Sequence, residues 1–512
     1  MKRFIILVPV LFAVYVALNF FAANPILISL SSLADVFLTV ILIAITAQSL
    51  SWLYFRNITK SSIGATFILL VFFSYTLLEQ MVLPVISKLV INRTISQILF
   101  AVLISISLCL IYLCLKREQA ELGLLTTFLV IFAGVLPIMP LTSIIQYNMM
   151  LGDISSPVMA STQQLGQQSG KSLPDIYHIV LDGYGREDVL RDHYNYDNAD
   201  FIMDLESLGF TVRNDCHANY IWTAFSVASM LSLEYIPNLN VDSEIARQMM
   251  IKKIGESGAG QLLVHSGYDY YEISSPVPTS AESDFMKVYM NSNNIRRYII
   301  YQTPLKYYFG SKTKSDDNEA YDYWRNDIIM RLKRVANIQS EDERPIFAYC
   351  HICIPHPPFV FDSSGNPINP PRPFSLNDCN DWMAQEEDSD REYRQLYPQQ
   401  VAFANLIIKQ TINDIIGKSK NPTLIIISSD HGPRLLVDQK SLERSQFQEA
   451  KPIFMAYRLP EGDNLDLADV KSPVNLYRKI LNHYCGTNYP MLEDRFFYTK
   501  WPGKIQNYEV VE

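Results

Sequence analysis

The first 147 residues hold five apolar runs, at roughly 4–23, 32–52, 62–84, 97–115 and 122–145. Each approaches the ~20 residues that a helix needs to cross ~30 Å of hydrocarbon. A chain that opens this way must place five helices in lipid before anything else is decided. The first run has the length of a signal peptide, but it lacks a clear small-residue cleavage site and four more spans follow, so it is read as an uncleaved helix. Lys2, Arg3, Arg56, Lys60, Lys116 and Arg117 lie at the N-terminus and in the loops after spans two and four, whereas only Lys88 and Arg93 lie on the opposite side. The positive-inside rule then predicts a cytoplasmic N-terminus, and five crossings put everything after Tyr147 outside the cell membrane.

The rest of the chain is of another kind. Residues 174–512 carry nearly all the Asp and Glu and most of the Tyr and Pro. With a net charge of −9 there is no basic footprint for nucleic acid. Of seven cysteines, Cys109 and Cys114 fall in the fourth run and are expected to pack there. Cys216, Cys350, Cys353, Cys379 and Cys485 fall beyond the membrane, where disulfides are possible. Cys350 and Cys353 have the spacing of a metal or redox pair, yet they lie on an apolar run without a second pair of zinc spacing. A structural role is expected for both.

Residues 148–173 are rich in Gln, Ser and Gly, show no period, and read as a linker. Short apolar, β-rich runs follow at 175–182, 268–274, 345–351, 423–430 and 452–458, alternating with helical patterns at 199–208, 243–256, 320–338, 391–418 and 474–484. Such alternation predicts one α/β domain over 174–512 with a central, mostly parallel sheet. The Pro-rich stretch 352–390 is long enough for a functional loop.

In open α/β sheets ligands bind beyond the carboxyl ends of the strands. Three runs deliver polar groups there: "IVLDGYGRED" ends at Asp182, "IIISSDHGPR" at Asp430 and His431, and "YCHICIPHPPF" at His351, running on to His356. Asp182, Asp430 and His431 make a mixed oxygen and nitrogen set suited to Zn²⁺ or Mn²⁺, where an all-oxygen cage would suit Ca²⁺. Upstream, "WTAFSVASMLS" repeats a hydroxyl every third residue, at Thr223, Ser226, Ser229 and Ser232. If Thr223 caps a helix running to about Tyr235, its hydroxyl sits at the positive end of the helix dipole, where anions bind. A nearby cation would make it nucleophilic near neutral pH. Ser226 lies one turn further in, and Ser229 and Ser232 are expected to face the helix's neighbours. Arg186 and Arg434, a few residues from the proposed ligands, could clamp phosphate; the plain alternative for each is an ion pair.

Taken together, "VLDGYGRED", "WTAFSVASMLS" and "SSDHGPR" resemble the alkaline phosphatase superfamily, in particular its membrane-anchored phosphoethanolamine transferases and lipoteichoic acid synthases. That resemblance implies five membrane helices before a sulfatase-like domain, with Thr223 as nucleophile and Asp182, Thr223, Asp430 and His431 on a catalytic metal. It also implies that His351 and His356 contact the substrate or a second ion, and as imidazoles that titrate near working pH either could serve as general acid and base. The sequence departs from the branch in having Asp rather than Glu at position 182, and in lacking a further His a dozen residues after Asp430-His431. One divalent ion is therefore expected: Zn²⁺ first, with Mn²⁺ or Mg²⁺ as alternatives. Nor is there a Cys or Ser followed by Pro-x-Arg, which sulfatases need for formylglycine, so sulfate-ester hydrolysis is disfavoured. The implied reaction moves a phospho-headgroup, phosphoethanolamine or phosphoglycerol, from a membrane phospholipid donor to a glycan or lipid acceptor of the envelope through a phosphothreonine. Two rival readings are a phosphodiesterase or phosphatase that uses water, and a non-catalytic scaffold for envelope assembly.

Overall fold

A computed structural model describes residues 4–23, 30–87, 93–117, 122–153, 173–274, 303–305, 313–339, 344–372, 374–375 and 388–510. It divides into two compact units, one of residues 1–150 and 286–314, the other of residues 151–285 and 315–512.

In the first unit a single 3₁₀ turn leads into α1 (Val8–Ala23), followed by α2 (Leu30–Phe55), α3 (Ile58–Phe73), α4 (Tyr75–Ser87), α5 (Arg93–Lys116), α6 (Gly123–Val135) and α7 (Ile138–Asp153). Among the described residues, four stretches are long and apolar enough to cross a membrane: Phe4–Ala22, Ala34–Phe55, Ile98–Lys116 and Gly123–Ile145. The expected third span is instead α3 with the first part of α4, bent by 66°, and it makes a fifth crossing if the pair counts as one. Ala13, Ala17, Ala44 and Ala65 are fully buried where α1, α2 and α3 meet, as close helix approach in lipid requires. Lys60 Nζ donates to the Arg117 carbonyl at 2.9 Å, so the cationic loops after the second and fourth runs lie together. Cys109 and Cys114 are exposed on α5 rather than packed, because both fall on the face turned away from the neighbouring helices. α7 continues to Asp153, into the stretch read as linker, and the remainder of that stretch up to residue 172 lies outside the described residues.

The second unit runs β1 (Asp175–Leu181), α8 (Glu187–Tyr194), α9 (Ala199–Ser207), β2 (Thr211–Arg213), α10 (Thr223–Ser232), α11 (Ser243–Glu256), α12 (Gly258–His265), β3 (Asp269–Ser274), α13 (Thr313–Val335), β4 (Ile346–Ile352), α14 (Ser389–Lys418), β5 (Thr423–Ser429), β6 (Met455–Arg458), α15 (Leu476–Tyr484), β7 (Phe497–Thr499) and β8 (Asn507–Glu509). The main sheet has the order β2-β6-β5-β1-β4-β3. Four neighbouring strands, β5, β1, β4 and β3, are parallel, and β6 and β2 add antiparallel pairings beyond β5. Every residue of β1, β4 and β5 is buried, which is why these strands read as mostly apolar runs without alternation. β7 and β8 form a separate two-stranded ribbon.

Register decides where the site lies. Leu181, the last residue of β1, pairs with Ile352 at the end of β4 and with Ser429 at the end of β5. The next residues out, Asp182, Cys353 and Asp430, therefore emerge side by side. β4 runs one residue beyond His351, so that histidine stands inside the strand, not after it.

Candidate metal centre

At the end of β1, Asp182 N donates to Ile352 O at 3.0 Å and prolongs the ladder by one bond. Gly183 then turns the chain with φ +76°, a left-handed conformation that favours glycine. Its N–H donates to Asp430 Oδ1 at 3.2 Å, and His431 N–H donates to the same oxygen at 2.9 Å. Asp430 Oδ2, by contrast, is buried with no hydrogen-bond partner. A buried anionic oxygen without a donor is costly, and a cation is the natural complement.

His431 is set for the same task. Its Nδ1–H donates to Gly432 O at 2.8 Å, which leaves the Nε2 lone pair pointing inward. Nε2 lies 3.4 Å from Asp430 Oδ2, 3.5 Å from Asp182 Oδ1 and 3.0 Å from Thr223 Oγ1. Metal bonds of ~2.0–2.2 Å at tetrahedral angles place neighbouring donor atoms about 3.3–3.6 Å apart, so the separations from the two carboxylates fit one small divalent ion. Gly432 makes the close turn possible: a Cβ there would come within 2.0 Å of the Glu449 carbonyl oxygen.

Thr223 Oγ1 also lies 3.5 Å from Asp182 Oδ1. The residue is the first of α10, and the N-cap is Trp222, not Thr223. The helix ends at Ser232, three residues short of the expected end, because Leu233 adopts φ +61°. The threonine side chain is turned to the carboxylates instead of to its own backbone. The other hydroxyls of the repeat are engaged elsewhere: Ser226 donates to Asp430 O at 2.7 Å, Ser229 to Glu234 O at 2.7 Å, and Ser232 to Ala228 O at 2.5 Å. Of the four, Thr223 alone faces the acids. The rest of α10 is anchored in the core through Phe225, Val227, Ala228 and Leu231.

The charges are strongly perturbed. Burial, and then the neighbouring Asp430, raise the Asp182 carboxyl above its usual range. Burial also works against ionised Asp430, but His431, His351 and the Gly183 N–H outweigh it and hold this carboxyl below its usual range. His351 Nε2 lies 3.9 Å from Asp182 Oδ2 and 3.8 Å from Asp430 Oδ2. Two sets of groups could each hold an ion, Asp182 with Asp430 and His431, and Asp182 with His351 and Cys353; within each, the donor atoms lie within 4.8 Å of one another.

His356 stands one layer out. Its Nδ1–H donates to Pro357 O at 2.5 Å, and its Nε2 accepts from Arg434 at 2.9 Å. Burial and the adjacent guanidinium push its pKa down to about 3. Arg434 also donates to Ile221 O at 3.2 Å and lies over the Trp222 ring, 4.7 Å from its centroid. Arg186 is engaged differently: both its Nε and one terminal nitrogen donate to Asp188, at 2.8 and 2.6 Å, and the other terminal nitrogen donates to Cys216 O at 3.1 Å. That is the ion pair of the plain reading.

Sequence reasoning overlooked two neighbours of this centre. Trp222 was hidden by its apolar run. Cys353 was read as structural, but its thiol donates to Asp182 Oδ2 at 3.5 Å, while Cys350 is in the core on the opposite side of the strand. Cys216, Cys350 and Cys485 are free, buried thiols, and Cys379 lies outside the described residues.

The family model for Sulfatase matches residues 174–482. Solved structures similar to this chain include the C-terminal periplasmic domain of EcEptC from Escherichia coli in complex with Zn (10% identity, 67% of this chain and 94% of that one, TM-score 0.37). They also include a protein from a glycosaminoglycan-metabolism locus of Bacteroides thetaiotaomicron (14%, 64% and 80%, TM-score 0.35) and a 2-O GAG sulfatase (13%, 62% and 72%, TM-score 0.40). No curated protein matches the chain. A family model that spans three-fifths of the sequence, on a mostly parallel sheet with acids and imidazole at its strand ends, places this chain in the sulfatase family of the alkaline phosphatase superfamily.

Proposed function

We propose that this protein is a membrane-anchored, metal-dependent transferase. It would move a phospho-headgroup from a phospholipid donor to a glycan or lipid acceptor, with Thr223 carrying the group between them. The observation that supports it most is Thr223 Oγ1 at 3.0 Å from His431 Nε2 and 3.5 Å from Asp182 Oδ1, at the start of a helix. A threonine in this position cannot become formylglycine, which argues against sulfate-ester hydrolysis.

Asp182, Asp430 and His431 would hold one divalent ion, with Zn²⁺ best matched to the mixed donors and Mn²⁺ or Mg²⁺ as alternatives. The ion would supply positive charge that lets the Thr223 hydroxyl ionise near neutral pH. In the first step Thr223 Oγ1 bonds to phosphorus, the phosphorus–oxygen bond to diacylglycerol breaks, and the leaving oxygen takes a proton from water. In the second, an acceptor hydroxyl gives its proton to water and bonds to phosphorus as the phosphorus–Thr223 Oγ1 bond breaks. Arg434 donates to the non-bridging phosphate oxygens. His356, neutral and bonded to Arg434, acts as a positioning residue, a role that its two engaged ring nitrogens favour over acid–base work. His351, between the two carboxylates, likewise serves the anionic cluster. The apolar helices of the same chain would keep the unit at the membrane where donors lie, with the N-terminus cytoplasmic and the sulfatase-like unit on the outer side.

The test uses vesicles of phosphatidylethanolamine or phosphatidylglycerol labelled in the headgroup, mixed with the purified chain and envelope glycolipid. Label on the glycolipid supports transfer. Label released as a free water-soluble product, with none on the acceptor, contradicts it and makes the protein a hydrolase.

A further inference from the structure

The cations that follow the second and fourth apolar runs meet at one end of the helical unit. α2 stops at Phe55, and Arg56 and Asn57 join it to α3, with Arg56 at φ +50°. α5 stops at Lys116, and α6 starts at Gly123. Ile5, Ile63 and Leu115 are buried in one cluster, with Leu122 and Leu125 packed against it, so these helix ends form a single packed surface.

Rings and a carbonyl group hold three of the cations there. The Arg56 guanidinium lies over the Trp52 ring, 4.6 Å from its centroid, and Lys116 Nζ lies 5.5 Å from the centroid of Tyr54. Lys60 Nζ donates to Arg117 O at 2.9 Å, which uses one of its three N–H bonds. Among the described residues, no carboxylate pairs with Arg56, Lys60, Lys116 or Arg117. The second unit treats its arginines otherwise: Arg213, Arg325, Arg331 and Arg372 each bond an Asp or Glu. Lys2 and Arg3, and Glu118 and Glu121, lie outside the described residues, and their charges cancel in number. An excess of four positive charges remains, and an anion among them relieves their mutual repulsion.

We propose that this end of the helical unit binds an anionic phospholipid, with its phosphate among Arg56, Lys60, Lys116 and Arg117 and its acyl chains along α2.

The neighbouring surface favours a lipid over a soluble anion. Trp52, Leu53 and Tyr54, on the last turn of α2, are 43, 55 and 50% exposed, and the exposed apolar surface continues along the helix through Ile45 and Leu42. A soluble anion needs no such neighbour, whereas a phospholipid carries its charge directly beside hydrocarbon. Indole and phenol rings packed under cations suit the boundary between the two. α6 adds to the field. Its N-cap, Leu122, offers no side-chain bond to the N–H groups of the first turn, and the positive end of the helix dipole lies at this same surface.

The measurement is native mass spectrometry of the detergent-solubilised full chain, given equal amounts of phosphatidylserine and phosphatidylcholine. Phosphatidylserine carries neither of the headgroups proposed for transfer. About tenfold more bound phosphatidylserine than phosphatidylcholine is expected at low salt, and the preference should shrink as salt is raised. Arg56→Gln, Lys60→Gln, Lys116→Gln and Arg117→Gln combined should abolish it. Arg56→Lys with Arg117→Lys should keep most of it, which separates lost charge from lost fold. Equal retention of both lipids by the wild type overturns the proposal, as does an undiminished preference in the combined Gln variant. Displacement of the lipid by inorganic phosphate at fixed ionic strength would reassign the cluster to a soluble anion and overturn it too. Thr223→Ala should bind lipid as the wild type does, so the result stands apart from headgroup transfer. Loss of the preference in that variant would place the lipid at the metal centre instead.

Discussion

Asp430 Oδ1 accepts a hydrogen bond from Gly183 N at 3.2 Å, so one acid of the centre holds the turn that presents the other. The two strand ends are thereby fixed relative to each other before any ion arrives.

Gly183→Ala tests that relationship. The site has room for the methyl group, since the first atoms that a Cβ would meet, on His431 and His356, are 3.8 and 3.9 Å away. The cost is backbone strain at φ +76°, about 1–2 kcal/mol for an L-residue. The expected outcome is a thermal midpoint lowered by a few degrees and zinc affinity lowered about tenfold or more, because the turn that carries Asp182 must shift. Calorimetry and zinc titration of the variant check both. Unchanged affinity would show that the turn does not position Asp182.

Arg434→Lys keeps the charge but loses the planar fork that at once meets Ile221 O and His356 Nε2 and covers Trp222. Arginine and lysine are not equivalent at such a position. Headgroup transfer should fall about tenfold to a hundredfold in kcat/KM, with zinc content unchanged. Loss of zinc together with activity would instead make Arg434 part of the scaffold.

Much of this architecture was written in the sequence, and the physical reason is burial. β1, β4 and β5 are covered on both faces, so each is mostly apolar without alternation and stands out against its flanks. The acids follow directly where the runs stop. β2, β7 and β8, three residues each, are too short to show a period, and α8 (Glu187–Tyr194) is a polar surface helix whose buried residues are only Val189, Leu190 and Tyr194. The place of Cys353 was hidden for another reason. Its neighbours in the chain are apolar, and only the pairing of Leu181 with Ile352 reveals that it emerges next to Asp182.

His178 offers a pH test remote from the metal centre. It is buried in β1 with Nδ1 at 2.7 Å from Tyr477 Oη and Nε2 at 2.8 Å from Ser428 Oγ. Burial pushes its pKa from 6.5 down to about 3. Between those values the unfolded chain binds a proton that the native state refuses, so stability is present above 6.5 and is lost as pH falls below it, by up to about 1.4 kcal/mol per pH unit. The expected result is a thermal midpoint for the sulfatase-like unit that drops between pH 7 and pH 5. The drop should be smaller in His178→Gln, whose side chain takes up no proton. An equal drop in both proteins would assign the acid sensitivity to other groups.

The central claim concerns one oxygen atom, Thr223 Oγ1. Its most direct test is mass spectrometry of the Thr223-containing peptide after the purified, zinc-loaded chain has been incubated with phospholipid vesicles and quenched in acid. A mass increment equal to phosphoethanolamine or phosphoglycerol is expected on Thr223, absent when the lipid is omitted. An unmodified Thr223 in a preparation that turns over lipid, or turnover at the wild-type rate by Thr223→Ala, would contradict it.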